Sequence, residues 1–419
     1  MSLIRRPSSA LLVLTLIALL FVPIAGGVGR PPQTATATSA GQAMSLEVKI
    51  GQMLMAGVAG RTLSDDARHM IADLHVGNVV LMGPNIDSPA QVLALTRDLQ
   101  RLALESNGAG LLIGTDQEGG LVQRLRGIDG FTLLPDAATV GRAQDPDLLR
   151  RYGRMMAEEM RAVGVTVDFA PVIDVNDNPA NPVIGGLGRS FGATPARVAS
   201  ATLPVIAGFH DAGIAATGKH FPGHGSTAAD SHLAVPVVTK SKAELDATEL
   251  APFRAAIAAG IDAIMTAHVV YPALDPSGLP ATVSKPIITG ILRDELGFDG
   301  VIFTDDMGMA GIAEIFSPEE AAVQAVLAGA DIVVCARLDL QGVEGACRPE
   351  WLERLRNGLL EAARDGRLPL TRIDESVARI QSLKQRYSAT PASGEGLSRV
   401  QGADHLRIVA DVLEAAGRP

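Results

Sequence analysis

The sequence predicts an α/β fold, a (β/α)8 TIM-type barrel forming a single catalytic domain, and three observations carry that expectation. Eight short apolar runs are spread over about 340 residues. Amphipathic segments of helical period lie between most of them. Ionisable residues gather just after four of those runs, at the rim where barrel enzymes place their chemistry.

Taken in order, the chain begins with Arg5 and Arg6 ahead of an uncharged stretch over 7–29, whose apolar heart is 10–22. A basic region followed by an apolar one reads as a secretory signal over residues 1–25. The heart ends at Pro23, short for a membrane-spanning helix, and an uncleaved N-terminal anchor is the alternative. Residues 26–44, rich in Gly, Pro, Thr and Ala, suit a flexible tether. The barrel is expected over 45–387, with a polar tail over 388–419 carrying one helical pattern at 402–415.

The eight strand candidates are 54–58, 79–82, 110–115, 166–170, 215–219, 263–267, 300–304 and 331–335. Most are rich in Val, Ile or Leu without strict alternation, as in parallel strands covered on both faces. Helical patterns occupy 90–103, 147–163, 195–212, 242–259 and 318–328. A doubly wound sheet is the competing architecture, but no glycine-rich fingerprint turn follows the first run.

Bulk properties narrow the partners. The 419 residues are 47% hydrophobic and 20% charged, an ordinary globular balance. Net charge is −10 with a pI near 5.3 and no basic stripe, which argues against nucleic acid. Only 3% of residues are aromatic, with one Trp (Trp351), so few faces exist on which to lay a long sugar polymer. A short, pocket-bound substrate and a monomeric enzyme fit this better. Cys335 ends an apolar run and reads as a buried thiol, whereas an extracytoplasmic location permits its pairing with Cys347. Spacing does not choose between the two.

The rim residues are specific. The third run ends in Asp116-Gln117-Glu118-Gly119-Gly120, the sixth is followed by His268, and the seventh by Asp305-Asp306. The fifth leads into Lys219-His220-Phe221-Pro222-Gly223-His224-Gly225, with Asp230-Ser231-His232 shortly after. His220 and His224 have a spacing that binds zinc on a helix, but Pro222, Gly223 and Gly225 break any helix there, and no metal is expected. Asp230 and His232 point the same way in an extended loop, and a carboxylate orients an imidazole. With a pKa near 6.5, such a His serves as general acid and then general base. The bland alternative is an incidental surface pair. A carboxylate such as Asp305, at the end of a buried strand, needs partners or a task. Asp306, beside it, points elsewhere and reads as structural.

Together these motifs resemble glycoside hydrolase family 3, specifically its β-N-acetylglucosaminidases. Three further stretches agree: Asp116 to Arg124, Gly188-Arg189-Ser190-Phe191, and Gly297-Phe298-Asp299-Gly300 leading to Asp305. The resemblance covers roughly 48–383. It implies a retaining, two-step mechanism without a cofactor, with Asp305 as nucleophile, His232 as acid/base and Asp230 as its partner. It implies sugar binding by Asp116, Arg124, Arg189, Lys219 and His220, and a peptidoglycan fragment or related oligosaccharide as substrate. Leu121 stands where the family usually has Arg. The rival readings are transfer of the sugar to phosphate, a family 3 β-glucosidase or xylosidase, a sugar-binding protein that has lost catalysis, and an NAD- or phosphate-using α/β enzyme. The last rests mainly on Gly185-Gly186-Leu187-Gly188, a loop cluster with weak specificity.

Overall fold

The computed structural model describes residues 44–229, 231, 235–336, 347–387 and 390–417. The signal and most of the tether fall outside the described residues, and so do Asp230 and His232.

Among the described residues, eight parallel strands close a barrel: β1 (Leu54–Gly57), β2 (Asn78–Leu81), β3 (Leu112–Thr115), β6 (Val167–Asp168), β7 (Ala215–Phe221), β8 (Ala263–Thr266), β9 (Val301–Asp306) and β10 (Ile332–Cys335). Each coincides with one predicted run. The ring closes where β1 pairs with both β2 and β10, Met55 lying opposite Asn78 and Val334. Between β3 and β6 the chain inserts a small antiparallel hairpin, β4 (Gln117–Gly119) and β5 (Val122–Gln123), which no pattern in the sequence marks. Its strands are too short to show periodicity.

The strands are apolar because helices cover them outside and side chains fill the barrel inside. Phe169 and Phe303 meet edge to face there, with centroids 5.3 Å apart. Gly114 on β3 leaves the space that the Phe169 ring occupies.

The outer helices show why their patterns were legible. Helix α1 (Pro89–Asn107), α2 (Pro146–Ala162), α3 (Pro195–Ala212) and α4 (Pro318–Ala328) each start with Pro after a Ser, Asp or Thr cap. Those caps accept backbone amides of the first turn. The pattern at 242–259 is divided into Lys242–Ala247 and Leu250–Ala258, the break falling at Thr248 and Glu249. Two more helices, α5 (Pro349–Arg364) and α6 (Leu370–Arg386), complete the outer ring.

The helical pattern near the C-terminus forms α7 (Ala403–Ala415). It is docked on the body: Glu159 of α2 accepts from Gln401 N and pairs with His405 Nδ1, both at 2.8 Å. Cys335 and Cys347 form a disulfide, so the open choice between free thiols and a bridge falls to the bridge. Geometry decides it, with the Cα atoms 5.5 Å apart.

Buried carboxylates occur at both ends of the barrel. At the N-terminal end Asp331 is held by Arg293, Arg372, Arg379 and Ser376. Asp262 there is held by His210 and Arg386. These are fully paired fastenings of strand starts. The C-terminal end is organised differently.

Candidate active site

Strands β3 and β7 supply the floor of the site. Lys219, near the end of β7, is almost completely buried and reaches across to Asp116 at 2.6 Å and Glu118 at 2.7 Å. Asp116 follows β3, and the hairpin β4–β5 brings Glu118 and Arg124 back beside it. Arg124 lies 3.6 Å from Asp116. Arg189 approaches from the loop before α3 and grips Glu118 through two hydrogen bonds of 2.8 Å. The Nη2 that reaches Glu118 Oε1 also lies 3.4 Å from His220 Nε2. Four predicted binding residues are thus brought together: Arg189 and Lys219 meet at Glu118, a residue not singled out, and Lys219 and Arg124 meet at Asp116. The fifth, His220, joins them through Arg189.

Electrostatics keep this cluster charged. Burial opposes ionisation of Asp116, but Lys219 and Arg124 override it and hold the carboxyl below its usual range. Burial likewise opposes ionisation of Glu118, and Arg189 and Lys219 drive it well below the usual range. Burial works against the Lys219 ammonium too, yet Asp116 and Glu118 raise its pKa. Three cations and two carboxylates therefore stand together at this rim, with one positive charge in excess. Such groups make charge-assisted hydrogen bonds to hydroxyl and amide groups without reorganising.

Beneath them Asp168, at the end of β6, accepts from Gln117 N at 2.9 Å. Its other oxygen is buried with no partner among the described residues, and burial raises its pKa well above the ordinary value.

A second buried carboxylate, Asp174, fixes the Lys219–Gly225 segment. It binds His220 Nδ1 at 2.8 Å and accepts the His224 amide at 2.6 Å. Tyr271 O–H donates to the Gly223 carbonyl. Gly225 passes so close to Val175 O that no side chain fits there. Asp174 sits on an extended stretch beyond the two-residue strand β6, where no periodicity marked it. Its signal was only that a charged residue interrupts an apolar stretch, Val172-Ile173-Asp174-Val175.

Asp305 stands at the C-terminal end of β9, one strand beyond β8 from β7, and is partly exposed. Its Oδ1 accepts the Asp306 amide at 2.8 Å. Asp306 turns away and accepts from Gly308 N and Ala336 N, as a structural residue would. His268 is fully buried; its Nε2 donates to the Asp306 carbonyl at 2.9 Å, and its Nδ1 lies 2.8 Å from Thr282 Oγ1. It braces the strand end that carries Asp305. Leu121 is largely exposed at the turn of the hairpin. Ser231, between Asp230 and His232 in the chain, is buried and bonded to His224 Nε2 at 2.9 Å.

A parallel barrel with a charged cluster and a strand-end carboxylate at its C-terminal rim suits a glycoside hydrolase. The chain belongs to glycosyl hydrolase family 3: the profile of the family's N terminal domain matches residues 45–383. It is similar to a β-hexosaminidase of Thiobacillus denitrificans, 43% identical over 294 residues that cover 68% of this chain and 79% of the relative. Among solved structures it resembles a family 3 β-N-acetylglucosaminidase from a Paenibacillus species, with a TM-score of 0.82 and 43% identity. That match covers 89% of this chain and 69% of the other. It also resembles a β-N-acetylhexosaminidase from Beutenbergia cavernae, with a TM-score of 0.75 and 33% identity, covering 82% and 99% of the two chains.

Proposed function

We propose that the enzyme is a retaining exo-β-N-acetylglucosaminidase (EC 3.2.1.52) that removes terminal β-linked N-acetylglucosamine from small oligosaccharides such as peptidoglycan fragments. The observation that carries the reading is the pairing of the Asp116–Glu118–Lys219–Arg189 cluster with Asp305 at the same rim. The relatives' activities support the sugar. In the first step the Asp305 carboxylate attacks the anomeric carbon and the glycosidic bond breaks. The departing oxygen takes a proton from His232. In the second, water attacks the same carbon, gives its proton to His232, and Asp305 leaves. Asp230 orients the imidazole and stabilises its charged form. Asp116, Lys219, Arg124, Arg189 and His220 hold the terminal sugar. We place the enzyme outside the cytoplasm, in the cell envelope or secreted, because the basic-then-apolar N-terminus and the Cys335–Cys347 disulfide both suit an oxidising compartment.

The test is release of 4-nitrophenol from its β-N-acetylglucosaminide and β-glucoside, with and without phosphate, by the wild type, Asp305→Ala and His232→Ala. The reading requires strong preference for the N-acetyl substrate, no turnover by Asp305→Ala, and no phosphate acceleration. Equal use of both sugars overturns it, and acceleration by phosphate replaces the hydrolase with a phosphorylase.

A further inference from the structure

One buried residue of the site has no part in the mechanism above. His224 is 1% exposed, and both ring nitrogens are engaged, Nδ1 with Thr227 Oγ1 and Nε2 with Ser231 Oγ, each at 2.9 Å. Its backbone amide is fixed on Asp174 at 2.6 Å. Its ring stands edge to face against His220, with centroids 5.7 Å apart. Asn181 donates to the carbonyls of His224 and Thr227 and to the Thr227 hydroxyl, so the frame around the imidazole is closed. Burial, with His220 adding to it, lowers the His224 pKa to about 4, and the ring is neutral near pH 7. A neutral imidazole has one donor and one acceptor, which matches two hydroxyl partners.

The partner on Nε2 gives this arrangement its consequence. Ser231 is itself 2% exposed and is the single residue that separates Asp230 from His232 in sequence. A further tie lies at the flanks of the same loop. Lys240, on its far side, binds Asp177 at 2.5 Å and Glu249 at 2.6 Å. Ser226, on its near side, bonds to the same two carboxylates. The loop is therefore fastened where it leaves the barrel and where it returns, and its interior is fastened at Ser231.

We propose that His224 is a positioning residue: through its hydrogen bond to Ser231 it sets where the Asp230–His232 pair stands relative to the sugar held by His220 and Arg189. This rests on the reading of His232 as the acid/base. Asp174 then ties the two halves together, because one carboxylate anchors the sugar-side histidine and the loop-side histidine.

The experiment compares kcat/KM for aryl β-N-acetylglucosaminides with good (2,4-dinitrophenyl) and poor (phenyl) leaving groups in His232→Ala, Ser231→Ala, His224→Gln and the Ser231→Ala/His224→Gln double variant. General-acid assistance matters for poor leaving groups and little for good ones. Ser231→Ala removes one oxygen and leaves His224 in place, so it reads the contact even where a His224 variant folds poorly. The proposal expects Ser231→Ala to lose about 10-fold or more on the phenyl substrate and under about 3-fold on the dinitrophenyl one, with KM little changed. It expects His224→Gln, whose amide reaches toward the Nε2 position, to lose less than Ser231→Ala, and the double variant to be no worse than Ser231→Ala. If His232→Ala shows the leaving-group dependence and Ser231→Ala does not, the positioning role fails while the acid/base reading stands. If His232→Ala shows none, the acid/base reading fails and the inference falls with it. Additive losses in the double variant also overturn the proposal.

Discussion

Asp174 accepts the His224 backbone amide at 2.6 Å, while its other oxygen takes His220 Nδ1 at 2.8 Å. Burial opposes its charge, but His220 beside it lowers the carboxyl pKa below the ordinary range. The carboxylate thereby orients the His220 ring, which donates from Nδ1 and presents Nε2 toward Arg189. Asp174→Asn keeps the volume but offers a donor where an acceptor is needed. We expect kcat/KM on the nitrophenyl N-acetyl substrate to fall by about 100-fold and stability by about 2–3 kcal/mol. Kinetics with a denaturant titration check it, and wild-type values in both would show that Asp174 orients nothing.

Glu118 faces Arg189 and Lys219 at once, at 2.8 and 2.7 Å. Glu118→Gln leaves two buried cations with Asp116 as their main counterion. Breaking a buried ion pair on one side costs about 3–5 kcal/mol. The expected result is a marked drop in melting temperature and a KM raised by at least about 10-fold. An unchanged KM would mean that Arg189 and Lys219 do not hold substrate.

The barrel was readable because parallel strands covered on both faces write themselves as apolar runs, and each of the eight runs became a strand. The rim positions of Asp116, Lys219 and Asp305 were readable for the same reason, since a charge at the end of such a run stands out, while the binding roles of Asp116 and Lys219 came only with the family resemblance. Glu118 and Asp174 were not, because their importance lies in partners distant in sequence. Glu118 is 71 residues from Arg189, and Asp174 is 46 from His220. The break in the 242–259 pattern arises where Glu249 is drawn inward to Ser226 and Lys240, a tertiary demand that helical period does not record.

At the opposite end of the barrel, Lys384 of α6 is buried and donates to Gln52 Oε1 and Gly77 O, with no carboxylate partner among the described residues. Burial lowers its pKa from 10.5 to about 7. Between those values the unfolded chain binds the proton and the folded protein does not, so stability rises with pH from about 7 to about 10, by up to about 1.4 kcal/mol per unit. Lys384→Met removes that rise. Denaturant titrations at pH 7 and pH 9 test this, and an equal rise in the variant refutes the assignment to Lys384.

The disulfide closes a 12-residue separation at the rim, with Cys347 N bonded to Gly57 O and Ala336 N to Asp306. By loop closure alone it stabilises the fold by about 3 kcal/mol. Reduction, or Cys347→Ser, is expected to lower the denaturant midpoint accordingly. A midpoint insensitive to reductant would show that the bridge contributes nothing.

The central claim is that Asp305 attacks the sugar. The most direct measurement is mass spectrometry of protein quenched in acid during turnover of an activated aryl β-N-acetylglucosaminide, followed by peptide mapping. The account predicts one added N-acetylglucosaminyl unit on the peptide containing Asp305, absent from Asp305→Ala. An adduct on another residue, or release of the inverted anomer with no adduct, would contradict it.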